Sequence, residues 1–253
     1  GSGSMSNQSA STPTALTANT FTRDGYSFSG WNTAANGSGT AYANGATYDF
    51  SADVTLYAQW TAWTATFSDV PLDYWAWKYI ESLYDSGITG GCSTNPLSYC
   101  PTQAVTRAQM AVFLLKGIHG SSYAPPAVNG NTGFNDVASD YWAAAWIKQL
   151  AAEGITGGCG VGIYCPDNTV TRDQMAVFLL KAKYGSSYAP PAVNGDTGFT
   201  DVPSDYWAAA WIKQLAAEAI TGGCGSGVYC PDNPVTRDQM AVFLQRTFNL
   251  PLP

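Results

Sequence analysis

The sequence predicts a mainly α-helical molecule of three helix-loop-helix repeats behind a small N-terminal β unit, and three observations carry that prediction. One stretch is spelled three times: VTRAQMAVFLLK from Val105, VTRDQMAVFLLK from Val170 and VTRDQMAVFLQR from Val235. A close pair of cysteines precedes each copy, at Cys92 and Cys100, Cys159 and Cys165, Cys224 and Cys230. Between Phe21 and Thr61 the text instead alternates in short runs (YSFSGW, ATYDF, VTLYAQW) broken by turn signals. Repetition on this scale means small units that stack to share a core, since none could bury enough apolar surface alone.

Taken in order, residues 1–20 read as a tag-like GSGSM followed by a flexible leader, because Ser6 to Leu16 is Ser, Thr and Ala without periodicity. Residues 21–63 form the β unit. Asn36-Gly37 and Asn44-Gly45 supply its turns. Val54, Leu56, Ala58 and Trp60 fall on one face of its last strand, with Thr55, Tyr57 and Gln59 on the other.

Residues 64–130, 131–195 and 196–253 are the three repeats, opening with FSDV at Phe67, FNDV at Phe134 and FTDV at Phe199. Asp73, Asp140 or Asp205 can then cap a first helix, along which Trp142, Trp146, Ile147 and Leu150, or Trp207, Trp211, Ile212 and Leu215, share one face. Such a stripe reads as core. The helix leaves through a glycine-rich GITGGC or AITGGC, suited to a left-handed cap. The cysteine loop follows, then the second helix. Thr106, Thr171 and Thr236 each precede a Gln by three residues (Gln109, Gln174, Gln239), which is the signature of a capping box and of a helix start. GSSYAPPAVNG, at Gly120 and again at Gly185, bridges successive repeats as an ordered, proline-stiffened strap.

The cysteine pairs are best explained as local disulfides, Cys92–Cys100, Cys159–Cys165 and Cys224–Cys230, each closing a small loop and contributing about 2.5 kcal/mol by chain entropy. Zinc would need two more ligands per pair, and His119 is the one histidine of the chain, so no metal is expected. Disulfides imply an oxidising, extracellular compartment. A net charge of −7 with only 11% charged residues argues against nucleic acid and against an anionic bilayer as partner, and no apolar run reaches the length of a membrane span. The text carries no phosphate loop, HExxH or nucleophile elbow, so neither catalysis nor a cofactor is expected. Asp136, Asp140, Asp201 and Asp205 read as turn and cap residues.

Arg107, Arg172 and Arg237 stand at the first helical position, where the helix dipole disfavours a cation by about 0.3–1 kcal/mol. Two readings are open. Each Arg either receives a carboxylate or phosphate at an anion-attracting helix start, or pairs with an Asp inside the fold. Under the first, Arg→Ala costs affinity and leaves stability almost untouched.

FTRDGYSFSGWNTAANGSGTAYANGATYDFSADVTLYAQW resembles the C-terminal half of a Listeria–Bacteroides repeat, a β-grasp-like module of bacterial surface proteins. The succession F-x-D-V, Y-W-A, helix, GITGG and TRxQ-M-A-V-F-L, from Phe67 to about Phe248, resembles the S-layer homology (SLH) domain. The resemblance implies a pseudo-threefold assembly with a central bundle of three helices. It also implies a non-catalytic, extracellular anchor, part of a longer surface protein, whose inter-repeat grooves bind an acidic, pyruvylated cell-wall or envelope polysaccharide. On this reading Arg107, Arg172 and Arg237 face the sugar-bound anion, with Asp167 and Asp232 of the CPD sequences beside them. Thr102 of CPT replaces that Asp in the first repeat, which ranks Arg107 as the weakest of the three. The alternative is a structural or protein-interaction tail that binds no glycan.

Overall fold

The computed structural model describes residues 1–253. The chain divides into two compact units, residues 1–65 and residues 66–253.

In the first unit β2 (Tyr26–Asn32) is flanked antiparallel by β3 (Ala41–Tyr42) and β5 (Tyr57–Ala62), with a bulge between Phe28 and Gly30. Gly37 and Gly45 take positive φ at the two Asn-Gly turns. The leader expected over residues 1–20 is instead tied down. Thr14–Ala15 form β1, which pairs with β4 (Thr47–Tyr48), and Ser2 and Thr22 exchange backbone hydrogen bonds. Its backbone groups find strand partners that its Ser- and Thr-rich composition does not advertise. The last strand begins at Tyr57, so the expected alternation holds from Leu56 to Ala58 while Val54 lies outside it and is exposed.

The second unit holds all six helices. Each repeat contributes a first helix, α1 (Trp77–Asp85), α3 (Ala144–Ala152) or α5 (Ala209–Ala217), and a longer second one, α2 (Arg107–His119), α4 (Arg172–Tyr184) or α6 (Arg237–Phe248). Repeat 1 adds a small hairpin, β6 (Ser93–Thr94) and β7 (Leu97–Ser98), inside its cysteine loop. The second helices start where the threonines predict. They are also the most buried elements, with Met110, Leu114, Leu115, Met175, Leu179, Leu180, Met240 and Leu244 closed to solvent.

The three repeats close on one another. Val105 donates its amide to the Val235 carbonyl (2.9 Å), Val235 to Val170 (2.9 Å), and Val170 back to Val105 (3.0 Å). The second helices α2, α4 and α6 each contact the other two. The first helices pack across repeats: α3 against α2, α5 against α4, and α1 against α6. The last pairing joins the first repeat to the third.

Three local expectations change. Asp73, Asp140 and Asp205 do not cap the first helices, which each start four residues later behind Ala76, Ala143 and Ala208 with no side-chain cap. Consequently Trp142 and Trp207 precede their helices and leave the apolar stripe, although Ile147, Leu150, Ile212 and Leu215 are buried on it as expected. The capping box forms only at Thr106. In α4 and α6 an Asp at the second helical position draws the Thr hydroxyl to itself (Thr171 to Asp173, Thr236 to Asp238) and takes the third amide as well, whereas Ala108 offers no such competitor.

The first helices end in a left-handed residue at Gly87, Gly154 and Ala219. A Cβ at Gly87 or Gly154 would come within 2.6 or 2.8 Å of Ser121 or Ser186 in the strap that follows. Ala219, at the matching place in repeat 3, holds φ 56°. Left-handed geometry costs a non-glycine residue about 1–2 kcal/mol, partly offset by the greater freedom of an unfolded glycine. Ala219→Gly is therefore expected to stabilise the chain by about 0.5–1 kcal/mol in denaturant titration. Gly154→Ala is expected to destabilise it.

Candidate functional site at the repeat junctions

Each cysteine loop is positioned by the Asp of its opening F-x-D-V. Asp69 accepts the amides of Tyr99 and Cys100, Asp136 those of Tyr164 and Cys165, and Asp201 those of Tyr229 and Cys230, all between 2.6 and 2.8 Å. The second cysteine of each pair is left-handed (φ 56–59°), and the disulfides form as the spacing predicts, with Cα separations of 6.0–6.1 Å. Phe67, Phe134 and Phe199 each pack on the tyrosine of their own loop at 5.3 Å between ring centres.

Burial would raise the Asp136 and Asp201 carboxyls, but the two amide hydrogen bonds on each outweigh it and hold both below the usual carboxylate range. A carboxyl whose folded value is depressed adds stability above its unfolded value, near pH 4, and loses it as the pH falls through the folded one. The melting temperature is accordingly expected to drop as the pH is lowered from about 5 to 2, and to drop less steeply in Asp201→Asn.

The tyrosines these loops present are received by the preceding repeat. Arg107 Nε donates to the Tyr164 carbonyl (2.7 Å) while the Tyr164 hydroxyl donates to the Arg107 carbonyl (2.9 Å). Arg172 and Tyr229 make the same exchange at 2.8 and 2.7 Å, and Arg237 and Tyr99 at 2.7 and 2.8 Å. Each guanidinium also lies over the tyrosine ring, 4.6–4.8 Å from its centre. The result is three reciprocal Arg–Tyr clasps, one at every junction, running from repeat 1 to 2, 2 to 3 and 3 back to 1.

Both premises of the exposed-cation reading change here. The three arginines are only 3–4% exposed, and burial depresses their pKa. The helix starts are occupied too: the first two amides of α2 donate to the carbonyls of Asn168 and Pro166, those of α4 to Asn233 and Pro231, and those of α6 to Gln103 and Pro101. No Asp pairs with the guanidinium either. Its partners are carbonyl oxygens and, for Arg107 and Arg172, the side-chain oxygens of Gln174 and Gln239 at 3.4 Å. Arg172 Nη2 reaches Thr221 Oγ1 at 3.5 Å, while Nη2 of Arg107 and of Arg237 is buried without a partner.

What each junction presents to solvent is a tryptophan, and in repeats 2 and 3 it is one that sequence periodicity assigns to the core. Trp75, Trp142 and Trp207 are 60%, 61% and 60% exposed. Beside each, a tyrosine hydroxyl is fixed on a carboxylate: Tyr74 on Asp238 (2.6 Å), Tyr141 on Asp167 (2.7 Å), and Tyr206 on Asp173 (2.7 Å), with Asp232 at 3.4 Å. The Trp207 indole also donates to Asp173 (3.0 Å). Burial, then the hydrogen bond to Asp238, raises the Tyr74 hydroxyl to about 12. Because each Arg meets the loop of the next repeat, the loop of Asp167 meets Arg107, that of Asp232 meets Arg172 and that of Thr102 meets Arg237, one junction away from the same-repeat pairing that the ranking by Thr102 assumes. The adjacent Tyr-Trp in all three repeats is the signal that could have found the exposed indoles. Three equivalent aromatic platforms, each bordered by fixed hydroxyl and carboxylate groups, can stack a sugar ring and bond its hydroxyls.

Comparison with known proteins bears on both units. Residues 1–59 match the model of the Listeria-Bacteroides repeat domain, and residues 66–111, 133–176 and 198–241 match that of the S-layer homology domain. The chain is similar to an endoglucanase of Bacillus sp. (strain KSM-635), 33% identical over 69% of this chain and 18% of the relative. It is similar to an amylopullulanase of Thermoanaerobacterium thermosulfurigenes, 27% identical over 81% of this chain and 11% of the relative. A cellulosome-anchoring protein of Acetivibrio thermocellus is 24% identical over 58% of this chain and 32% of the relative. The chain therefore spans a third or less of these relatives' lengths.

Proposed function

The chain belongs to the S-layer homology family and carries a Listeria-Bacteroides repeat beside its three SLH domains, and from that premise we propose that residues 66–253 are a non-catalytic extracellular module that anchors a surface protein by binding cell-wall or envelope polysaccharide at the repeat junctions. The observation that carries this reading is the triple recurrence of a tryptophan left about 60% exposed beside a Tyr–carboxylate pair. A fold with this much buried aromatic surface gains nothing from leaving three large indoles in water unless something covers them. The names of relatives, a cellulosome-anchoring protein and a surface layer protein among them, support the anchoring half of the reading. The closed cycle of clasps supports a pseudo-threefold body whose junctions are the grooves.

The roles follow from position. Trp75, Trp142 and Trp207 stack the sugar rings, and Asp167 and Asp232 accept their hydroxyls. Arg107, Arg172 and Arg237 lie beneath, placing the loops and supplying positive charge through the floor of each junction.

The test is co-sedimentation of the intact chain with purified envelope polysaccharide, before and after chemical removal of its acidic substituents. Trp142→Ala and Trp207→Ala are each expected to weaken binding while the melting temperature stays within a degree or two. Wild-type chain that fails to sediment with any fraction would refute the glycan reading.

A further inference from the structure

Asn-Gly pairs stand at Asn36, Asn44, Asn129 and Asn194, the first two in the β unit and the last two at the ends of the straps. All of these residues are exposed and all of the glycines hold positive φ, so neither access nor backbone class separates the pairs. Hydrogen bonding does. Asn36 Oδ1 accepts from the amide and the hydroxyl of Ser38, the Gly37 amide donates to the Ala34 carbonyl, and Asn44 Oδ1 accepts from the Asn19 amide. In the straps the side chains of Asn129 and Asn194 and the amides of Gly130 and Gly195 bond to nothing in the protein.

That freedom matters because an asparagine followed by glycine can cyclise. The glycine nitrogen gives its proton to hydroxide and attacks Cγ of the asparagine. A new C–N bond forms, the bond from Cγ to its own amide nitrogen breaks, and ammonia leaves with a proton taken from water. Water then opens the imide ring at either carbonyl and leaves aspartate or isoaspartate. Two things slow the first step: a hydrogen bond that holds the side chain elsewhere, and the cost of the amidate, whose charge resonance places largely on the asparagine's own carbonyl oxygen. In the second strap that oxygen already has a cation on it. Lys213 Nζ, from α5, donates to the Asn194 carbonyl at 3.3 Å and to the Asp196 carbonyl beyond it. The matching Lys148 of α3 donates instead to Asn131, past the reacting peptide of the first strap. A charged donor aimed where negative charge develops stabilises the transition state more than the ground state.

We propose that Asn194-Gly195 is a site of spontaneous modification, where the chain converts its own asparagine through a cyclic imide to aspartate and isoaspartate with Lys213 assisting, and that Asn129-Gly130 is a slower second site. The strap is held on either side of the reacting pair, by Tyr188 against Tyr184 and Trp211 and by Thr197 on the Val202 carbonyl. The isoaspartyl product adds a backbone carbon and a negative charge between those two anchors. The strap must bulge to take them, and its hold on Trp211 weakens as the molecule ages.

The experiment incubates the intact chain in warm, mildly alkaline buffer and follows each asparagine by peptide mapping, with fragmentation that separates aspartate from isoaspartate. Asn194 is expected to convert first and Asn129 next, with Asn36 and Asn44 trailing. Lys213→Met is expected to slow Asn194 by about fivefold, the effect of one charged hydrogen bond at a half-exposed site, and to leave Asn129 unchanged. Lys213→Arg keeps the cation and should recover most of the rate. A variant that merely loosened the fold would speed Asn194 instead of slowing it. Conversion of Asn36 or Asn44 as fast as Asn194 would overturn the choice of site, and equal Asn194 rates in wild type and Lys213→Met would overturn the part given to the lysine.

Discussion

Reduction of the three disulfides is expected to lower the melting temperature of the intact chain by about 15–25 °C, the largest effect any single treatment should produce. The loops close over sequence separations of eight, six and six residues. Each such closure removes unfolded-state entropy equivalent to about 2.5 kcal/mol, and in a unit of this size one kcal/mol moves the midpoint by about 2–4 °C. The damage is not confined to the unfolded state. Each bridge ends at a left-handed cysteine whose amide, with that of the preceding tyrosine, sits on an F-x-D-V carboxylate, and that tyrosine is half of a clasp. Loosening one loop therefore loosens the junction with the repeat before it. Calorimetry with and without a phosphine reductant checks this, alongside intact mass, which should rise by six hydrogens on reduction. A shift of under about 5 °C would mean that the Asp clamps hold the loops without the bridges.

Arg172→Ala is expected to cost about 2–4 kcal/mol of stability, contrary to what an exposed cation at a helix start would do. Removing the side chain strips the Tyr229 carbonyl of its charged donor, empties the space between the Tyr229 and Phe243 rings, and breaks one side of a reciprocal exchange. Opposing this, a buried guanidinium is itself costly to desolvate. Arg172→Met separates the terms by refilling the volume without the charge. If packing dominates, Met should restore more than half of the loss. If the hydrogen bond to Tyr229 dominates, Met should resemble Ala. Equilibrium unfolding in urea measures both, and no loss in the Ala variant would mean that the clasp is dispensable.

The repeat plan was legible because its signals are local. Thr106, Thr171 and Thr236 start helices wherever the chain goes next, and cysteines six or eight residues apart can pair without any tertiary information. The fate of the arginines was not legible, because it depends on a partner in the next repeat: nothing within VTRDQ says that Tyr229 will present its carbonyl fifty-seven residues later. The same holds for the threonine caps, where Asp173 and Asp238 compete with Gln for the hydroxyl and also reach tyrosines of the following repeat, or of the first. Trp142 and Trp207 were misplaced for a smaller reason. Helical spacing was extended back through Asp140 and Asp205, whereas the helices begin at Ala144 and Ala209, and a shift of a few residues turns a core indole into a surface one.

The circle of valine amides has a kinetic consequence. Solenoids built from stacked repeats can add one unit at a time onto a growing end and need caps to finish. A circle has no end to grow from or to cap. Its last contact joins Tyr99 to Arg237 across 138 residues of chain, so the final step waits until the C-terminal helix is available and must close a long loop. A ribosome or export channel releases this chain in order, and until residues beyond Phe248 emerge the first repeat presents Tyr99 and Tyr74 to nothing. Refolding should accordingly show one slow phase that vanishes when α6 is deleted, and a circularly permuted chain opened in either strap should shorten that phase while keeping all three junctions.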